Sequence, residues 1–98
     1  MPDFTAKVYK IVKKIAKGKV MTYKQVASLA GNKKAFRAVG NALNKNKDFH
    51  NIPCHRVVRS DGKVGGYAFG NQCKRKKLAL EGVIITKGKI DLKQYKTA

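Results

Sequence analysis

Acidic residues are scarce in this 98-residue chain. There are five, and Glu81 is the only glutamate, against nineteen lysines and four arginines. That shortage excludes a surface balanced by ion pairs and leaves a formal charge of +18. Tryptophan is absent, and there are only two prolines and two cysteines. Two cysteines do not make the disulfide framework of a small secreted domain. A zinc site is not expected either: Cys54 adjoins His55, Cys73 is far off, and no C-x-x-C spacing exists. No apolar run is long enough to cross a bilayer. The start, Met1 to Lys10, is charged where a secretory leader would be apolar. Free thiols in a reducing, cytoplasmic setting are expected.

What is present suffices for one modest core, since 43% of the residues are hydrophobic. Residues 1–98 are therefore expected to form a single domain. The positive field attracts polyanions and speeds encounter with them. Nucleic acid is favoured over a membrane surface, because no helix pairs its basic face with an aromatic-rich one. A generally lysine-rich composition would give the same bias, so charge alone does not decide the partner.

Hydrophobic spacing organises the chain. Phe4, Val8, Ile11, Val12 and Ile15 share one face of a first helix, with Lys7, Lys10, Lys13, Lys14 and Lys17 around it and Gly18 as its stop. Thr22 and Gln25 form a capping box that starts a second helix at Tyr23, running to about Ala30 with Val26 and Ala27 inward. Gly31 and Asn32 lead to a third helix over roughly Lys34 to Asn44. Two short helices joined by a glycine-containing turn read as a helix-turn-helix. Pro53 excludes a helix through Ile52–Val58. Ser60-Asp61-Gly62-Lys63 reads as the turn of a small hairpin between Val57-Val58 and Val64, a wing. A glycine-rich loop, Gly65 to Gly70, precedes a fourth helix, about Gln72 to Glu81, ended by Gly82. Val83–Ile85 and Ile90 form a closing hairpin around Lys87-Gly88-Lys89, after which the last residues are expected to fray. The expected architecture is an α/β winged helix-turn-helix with four to five helices and a short β wing.

Chemistry concentrates at Pro53-Cys54-His55. A thiolate attacks saturated carbon readily, but an ordinary thiol is only a few per cent ionised near neutrality. A neighbouring histidine takes the proton, directly or through one water, and an acid behind the histidine orients it. Glu81, the only glutamate, is the candidate for that acid. A lone cysteine is also a common buried filler, His55 a common satisfied polar residue, and a glutamate a common helix-end residue. Spacing leaves both readings open. His50 and Cys73 read as a surface residue and a structural one.

The stretch Ile52-Pro53-Cys54-His55-Arg56-Val57-Val58, followed by Gly65-Gly66-Tyr67, strongly resembles the O6-alkylguanine-DNA alkyltransferase family, the methylated-DNA–protein-cysteine methyltransferases. Arg37-Ala38-Val39-Gly40 matches at the family's distance before the cysteine, and Glu81-Gly82 matches the family's Glu-Gly pair. The resemblance runs from Phe4 to Ile85 and corresponds to the family's C-terminal domain.

The resemblance implies DNA repair by a single, permanent transfer of an alkyl group from O6-alkylguanine to Cys54. It implies double-stranded DNA as partner, a monomer, no metal, and no cofactor, since DNA itself donates the alkyl group. His55 would activate Cys54 through a water, with Glu81 polarising the imidazole and Asn46 bracing the turn before the site. Arg37 would fill the stack left by an everted nucleotide, and Tyr23 would crowd the 3′ phosphate and contact the base. Ala38, Gly40 and Asn41 would lie on the helix in the minor groove, where the small Ala38, Gly40 and Ala42 suit a narrow space; close helix packing explains small residues equally. Leu43, Tyr67, Val64, Gly65 and Gly66 would surround the flipped guanine, with backbone contacts from Cys54, Val57 and Ala68.

Two departures from the family pattern stand out. The family's N-terminal domain is expected to be absent, and Phe36 and Asn41 are bulky for a groove-facing helix, so they either tilt the docking or face the core. Single-domain alkyltransferase-like proteins, which usually replace the acceptor cysteine and flag the lesion for excision repair, are the alternative; the retained Cys54 argues against it.

Overall fold

The computed structural model describes residues 4–48, 51–65 and 71–97. His50, Gly66, Tyr67 and Ala68, with Phe69 and Gly70 of the glycine-rich stretch, lie outside the described residues. The element order is α1 (Phe4–Lys13), β1 (Met21–Thr22), α2 (Tyr23–Leu29), α3 (Phe36–Asn44), a 3-10 turn (Cys54–Arg56), β2 (Val57–Val58), α4 (Asn71–Leu80), β3 (Ile85–Thr86), β4 (Lys89–Ile90) and α5 (Leu92–Tyr95). The expected α/β class, with five short helices and short strands, is what forms.

The first three helices arise where the periodicity puts them. Val8, Val12 and Ile15 are buried, Phe4 and Ile11 pack beside them, and the lysines of α1 point outward. The capping box at α2 is present: Gln25 N–H donates to Thr22 Oγ1 (3.0 Å) and Thr22 N–H to Gln25 Oε1 (3.4 Å). Gly31, at φ +101°, closes α2 with bonds from Gly31 N to Ser28 O and Asn32 N to Ala27 O. This paired capping pattern turns the chain sharply into α3. The third helix starts at Phe36, later than Lys34, because the Asn32 side chain takes the Lys34 N–H (3.1 Å) and holds a local turn instead. Helices α1, α2 and α3 then close over Val26, Ala27, Val39, Leu43 and Cys54, and Tyr9 Oη ties α1 to the Ala42 carbonyl at 2.6 Å.

The wing is built differently from the expected hairpin. The Ser60–Lys63 turn forms, closed by Arg59 N to Lys63 O (2.9 Å). Val57–Val58, however, pair in parallel with Met21–Thr22 rather than with Val64. Both valines are fully buried, so the ladder must be covered on both faces. Met21 and Val57 face the three-helix core, while Val20 and Val58 join a second cluster with Val64, Leu78, Val83, Ile90 and Tyr95. The closing hairpin β3–β4 turns through Lys87 (φ +52°) and Gly88 (φ +77°), the two-residue type that suits twisted strands. It lies against the 59–63 turn: Ile90 N donates to Gly62 O at 2.8 Å, and Lys63 bridges Lys89. The wing is thus a composite of two turns.

Residues 91–97 are docked against the fold and not frayed. Asp91 caps α5 through its Oδ1 on Lys93 N (3.0 Å), and Tyr95 is buried in the second core. Val20 N donates to Tyr95 O (2.9 Å), Thr97 N to Val20 O (2.8 Å), and Gln25 Nε2 to Thr97 O (2.6 Å). The physical reason is core volume: among its described side chains α4 gives this cluster only Leu78, so Tyr95 and Leu92 complete it. Among the described residues no helix is long and apolar enough to cross a membrane.

Gly62 is the pin of the composite wing, at φ +90° with Ile90 O only 2.9 Å from where a Cβ would sit. Gly62→Ala is expected to destabilise the fold by about 1–3 kcal/mol, lowering the melting temperature by roughly 4–8 °C for each kcal/mol. An unchanged melting curve would show that the two turns are not coupled through this contact.

Candidate functional site

The site forms where three chain segments end. Helix α4 stops on Gly82, at φ +90°, with Gly82 N bonded to Ala79 O and Val83 N to Leu78 O, each at 3.0 Å. This cap leaves Glu81 immediately after Leu80, the last residue of the helix. Pro53 breaks the preceding chain, and a single 3-10 turn follows, with Arg56 N on Pro53 O at 3.0 Å. Three residues per turn send consecutive side chains in three directions. Cys54 enters the three-helix core, while His55 and Arg56 reach Glu81.

Glu81 is gripped from both sides. His55 Nε2 lies 3.0 Å from Oε1. Arg56 donates from Nε to Oε1 (2.9 Å) and from Nη2 to Oε2 (2.6 Å), a bidentate fork. Its Nη1 also donates to the carbonyl of Ile15 at 2.7 Å, anchoring the end of α1 to the site. His55 Nε2 is within ion-pair distance of the carboxylate without meeting hydrogen-bond geometry, and Nδ1 too is buried without a hydrogen-bond partner among the described residues. Asn46 sits behind the turn, 3% exposed, donating from Nδ2 to Ile52 O (3.0 Å) and accepting from Asp48 N (2.9 Å).

Protonation states follow from burial. Cys54, 4% exposed, has its thiol pushed up by desolvation, opposed by a hydrogen bond from Asn46 and the positive charges of Lys74 and Lys77. Desolvation pushes His55 down, with Glu81 opposing. Burial alone would raise Glu81, but Arg56 and His55 outweigh it and hold the carboxylate below its usual range. The resting pair is therefore thiol and neutral imidazole.

Beside this pair lies Lys74, fully buried. Its Nζ is 3.3 Å from Tyr23 Oη and 5.4 Å from the ring centroid. Desolvation brings it down to about 7, with Cys54 pulling the other way. Tyr23 is raised to about 12 by burial and by Cys54. Tyr23 also lines an open cavity of about 610 Å³ with Phe36 and Gly40 of α3, Val64 and Gly65, and the cations Arg59, Lys63, Arg75 and Lys87. Gly65 is needed there: at φ +81°, a Cβ would come within 3.3 Å of both the Tyr23 ring and Arg59.

The structure thus brings Cys54, His55, Glu81 and Asn46 together and sets Tyr23, Gly40, Val64 and Gly65 around one cavity. Arg37, Ala38 and Asn41 are exposed on α3. Phe36 is exposed as well, at 38%, with Lys24 Nζ 5.6 Å above its ring, so neither bulky residue faces the core. Ala42 and Leu43 do: both are buried in the three-helix core, so the small size of Ala42 serves packing. Val57 is fully buried in the β1–β2 ladder. Sequence reasoning assigned no role to Arg56 or Lys74. The scarcity of carboxylates was the available signal for Arg56, whereas nothing distinguishes Lys74 among nineteen lysines.

The depressed bases His55 and Lys74 make stability depend on pH. Where a folded-state pKa lies below its unfolded value, the unfolded chain binds more protons, so stability rises with pH. His55 acts below about pH 6.5 and Lys74 above about pH 7, while the raised Cys54 works in the opposite sense once free thiols ionise, above about pH 8. Melting temperature is expected to climb from pH 6 to 8, and Lys74→Met should remove the rise between pH 7 and 8. A flat parent profile across that interval would mean that Lys74 stays charged in its buried site.

Comparison with known proteins identifies the family. Residues 3–83 match the family model described as 6-O-methylguanine DNA methyltransferase, DNA binding domain. A bifunctional methyltransferase/endonuclease of Picrophilus torridus is 42% identical over 96% of this chain and 32% of its own length. The methylated-DNA--protein-cysteine methyltransferase of Metallosphaera sedula is 50% identical over 85% of this chain and 51% of that protein. The chain thus spans about a third to a half of the curated relatives it matches. Among solved structures, S. pombe Atl1 in complex with damaged DNA containing O6-carboxymethylguanine superposes with a TM-score of 0.89 at 32% identity, covering 100% of this chain and 97% of that one. Mycobacterium tuberculosis OGT in complex with DNA gives 0.79 at 39% identity over 82% and 49%. The chain belongs to the 6-O-methylguanine DNA methyltransferase family, as its DNA-binding domain.

Proposed function

We propose that this chain binds duplex DNA and removes the alkyl group from O6-alkylguanine, keeping it on Cys54. The observation that carries this reading is a buried thiol followed, in one 3-10 turn, by an imidazole whose Nε2 lies 3.0 Å from the only glutamate in the sequence. His55 takes the thiol proton, directly or through a water, and Glu81 stabilises the imidazolium that results. The sulfur then attacks the alkyl carbon in line. A carbon–sulfur bond forms, the carbon–O6 bond breaks with its electron pair on the guanine, and the proton that His55 took from the thiol passes on, through solvent, to restore the base. The thioether is stable, so each molecule acts once. Lys74 lowers the energy of the thiolate while it exists, since its charge lies close enough to act on Cys54.

The remaining residues serve delivery of the base. Arg37, exposed on α3, is the side chain that replaces the everted nucleotide in the stack, with Ala38, Gly40 and Asn41 along the same helix. Tyr23, Val64 and Gly65 line the cavity that receives the guanine. Val57 offers its backbone and Leu43 supports the wall from the core. The +18 charge supplies the sequence-independent part of the affinity.

A second reading is favoured by the match with Atl1, which covers nearly the whole of both chains. In that reading the domain senses the lesion without reacting. The presence of Cys54 and its His55–Glu81 support favours transfer.

Intact mass after incubation with a duplex containing O6-methylguanine separates the two. Transfer is expected to add one methylene to the protein, on Cys54, and Cys54→Ser should abolish it; preferential binding of the damaged duplex with no mass gain would establish the sensor. Arg37→Ala is expected to slow repair of duplex DNA by about tenfold or more, because eversion costs a few kcal/mol, while transfer from free O6-methylguanine base changes little. Equal losses on both substrates would remove Arg37 from that role.

A further inference from the structure

The segment after residue 83, where the family model ends, carries a charged feature that the proposed chemistry does not use. Its hairpin β3–β4 is fixed at one edge by Ile90 N on Gly62 O and the Lys63–Lys89 bridge. Its tail is fixed at the other by α5 and the bonds to Val20 and Gln25. The tip, Lys87-Gly88, is thereby held over the cavity that Tyr23 lines. The Arg75 guanidinium of α4 lies against Gly88, with Nη2 3.4 Å from the Cβ position there. Lys63 lines the same cavity from the other turn of the wing.

Lys63, Arg75 and Lys87 are all exposed, and none has a carboxylate partner among the described residues. Arg59 completes the wall but is engaged by Asp61 at 3.1 Å. Across the cavity stands α3, through Phe36, Gly40 and Asn44. Three uncompensated cations on a rigid wall facing a groove-directed helix suit a ligand with evenly spaced negative charges. We infer that Lys63, Arg75 and Lys87 form a phosphodiester-binding rim that holds the sugar–phosphate backbone of duplex DNA beside the cavity, with the C-terminal hairpin as one of its walls. This assignment rests on the DNA-binding reading above. It adds a clamp that the helix-turn-helix does not supply and gives the docked tail a purpose beyond packing.

Phosphate contacts are read by salt dependence: each one lost makes the plot of log affinity against log salt shallower by about 0.9. Arg75→Gln/Lys87→Gln is expected to reduce the slope for undamaged duplex by about 2 and to weaken binding roughly tenfold near physiological salt. The charge-preserving Arg75→Lys/Lys87→Arg should keep the slope. Lys13→Gln/Lys17→Gln, which removes equal charge around a different cavity, on the His55–Glu81 side, should change it by less than half as much. An unchanged slope in Arg75→Gln/Lys87→Gln, or an equal change in the Lys13/Lys17 pair, overturns the rim while leaving the transfer chemistry standing. A parent protein that neither gains mass from methylated duplex nor prefers it defeats the repair reading instead, whatever the slopes.

Discussion

One carboxylate holds the functional end of this fold together. Glu81 meets His55 on one oxygen and Arg56 on both, and Arg56 passes the connection on to the carbonyl of Ile15. The end of α4, the 3-10 turn and the end of α1 are thereby fixed to one another. Gly18 adds to the same junction, since a Cβ there would come within 3.2 Å of the Glu81 carbonyl. Such a partly buried ion cluster is weak evidence for net stability, because desolvation offsets much of the attraction. Its value lies in geometry. Removing the carboxylate would strand a guanidinium that is 15% exposed and release the imidazole from its orientation in the same step. Structural bracing and preparation for chemistry are inseparable at this residue.

The distribution of the other acids follows the same economy. Asp48 holds the turn to Asn51, Asp61 the wing turn at Lys63, and Asp91 the start of α5. Each of these aspartates thus supports backbone geometry, and among the described carboxylates only Asp61 and Glu81 pair with a cation. The lysine surface is left to repel itself, a penalty that salt screens and a polyanion removes. Docking on a polyanion therefore relieves strain as well as making contacts. Lys74 is the exception that proves informative: it is the one lysine fully buried, and desolvation is the largest influence on its charge.

The sequence made much of this legible, for identifiable reasons. Helix α2 could be read from Thr22, Gln25 and Gly31, because capping chemistry is local and each signal has a single mechanism. Cys54, His55 and Glu81 could be nominated from nucleophile chemistry and from the rarity of acids. What escaped was non-local. Val57–Val58 look like half of a hairpin, and only the demand for cover on both faces sends them to Met21–Thr22. The tail after Asp91 looks free until the second core requires Tyr95. Ala42 and Leu43 read as groove and pocket residues, yet helical phase turns them inward. Arg56 looked like one cation in a motif, and its role depends on Ile15, 41 positions away.

The charge state of the resting site has a consequence for how a buried cysteine can react at all. A permanent thiolate among Val12, Val39 and Leu43 would carry a large desolvation penalty. Burial avoids it: Cys54 is held as thiol, His55 as neutral imidazole, and Lys74 near its titration point. Charge then appears only when the proton moves to His55, and it appears in the company of Glu81 on one side and Lys74 on the other. In the transfer proposed here the negative charge leaves the sulfur as the new bond forms and passes to the departing base, so the site bears it only briefly. Donors and cations fixed in advance within a poorly hydrated pocket stabilise such transient charge better than water does, because they need not reorganise. Lys74 is suited to this role by its pKa. A lysine that titrates near neutrality gains its proton more readily as Cys54 loses one, and so the site's net charge changes less than either group's alone.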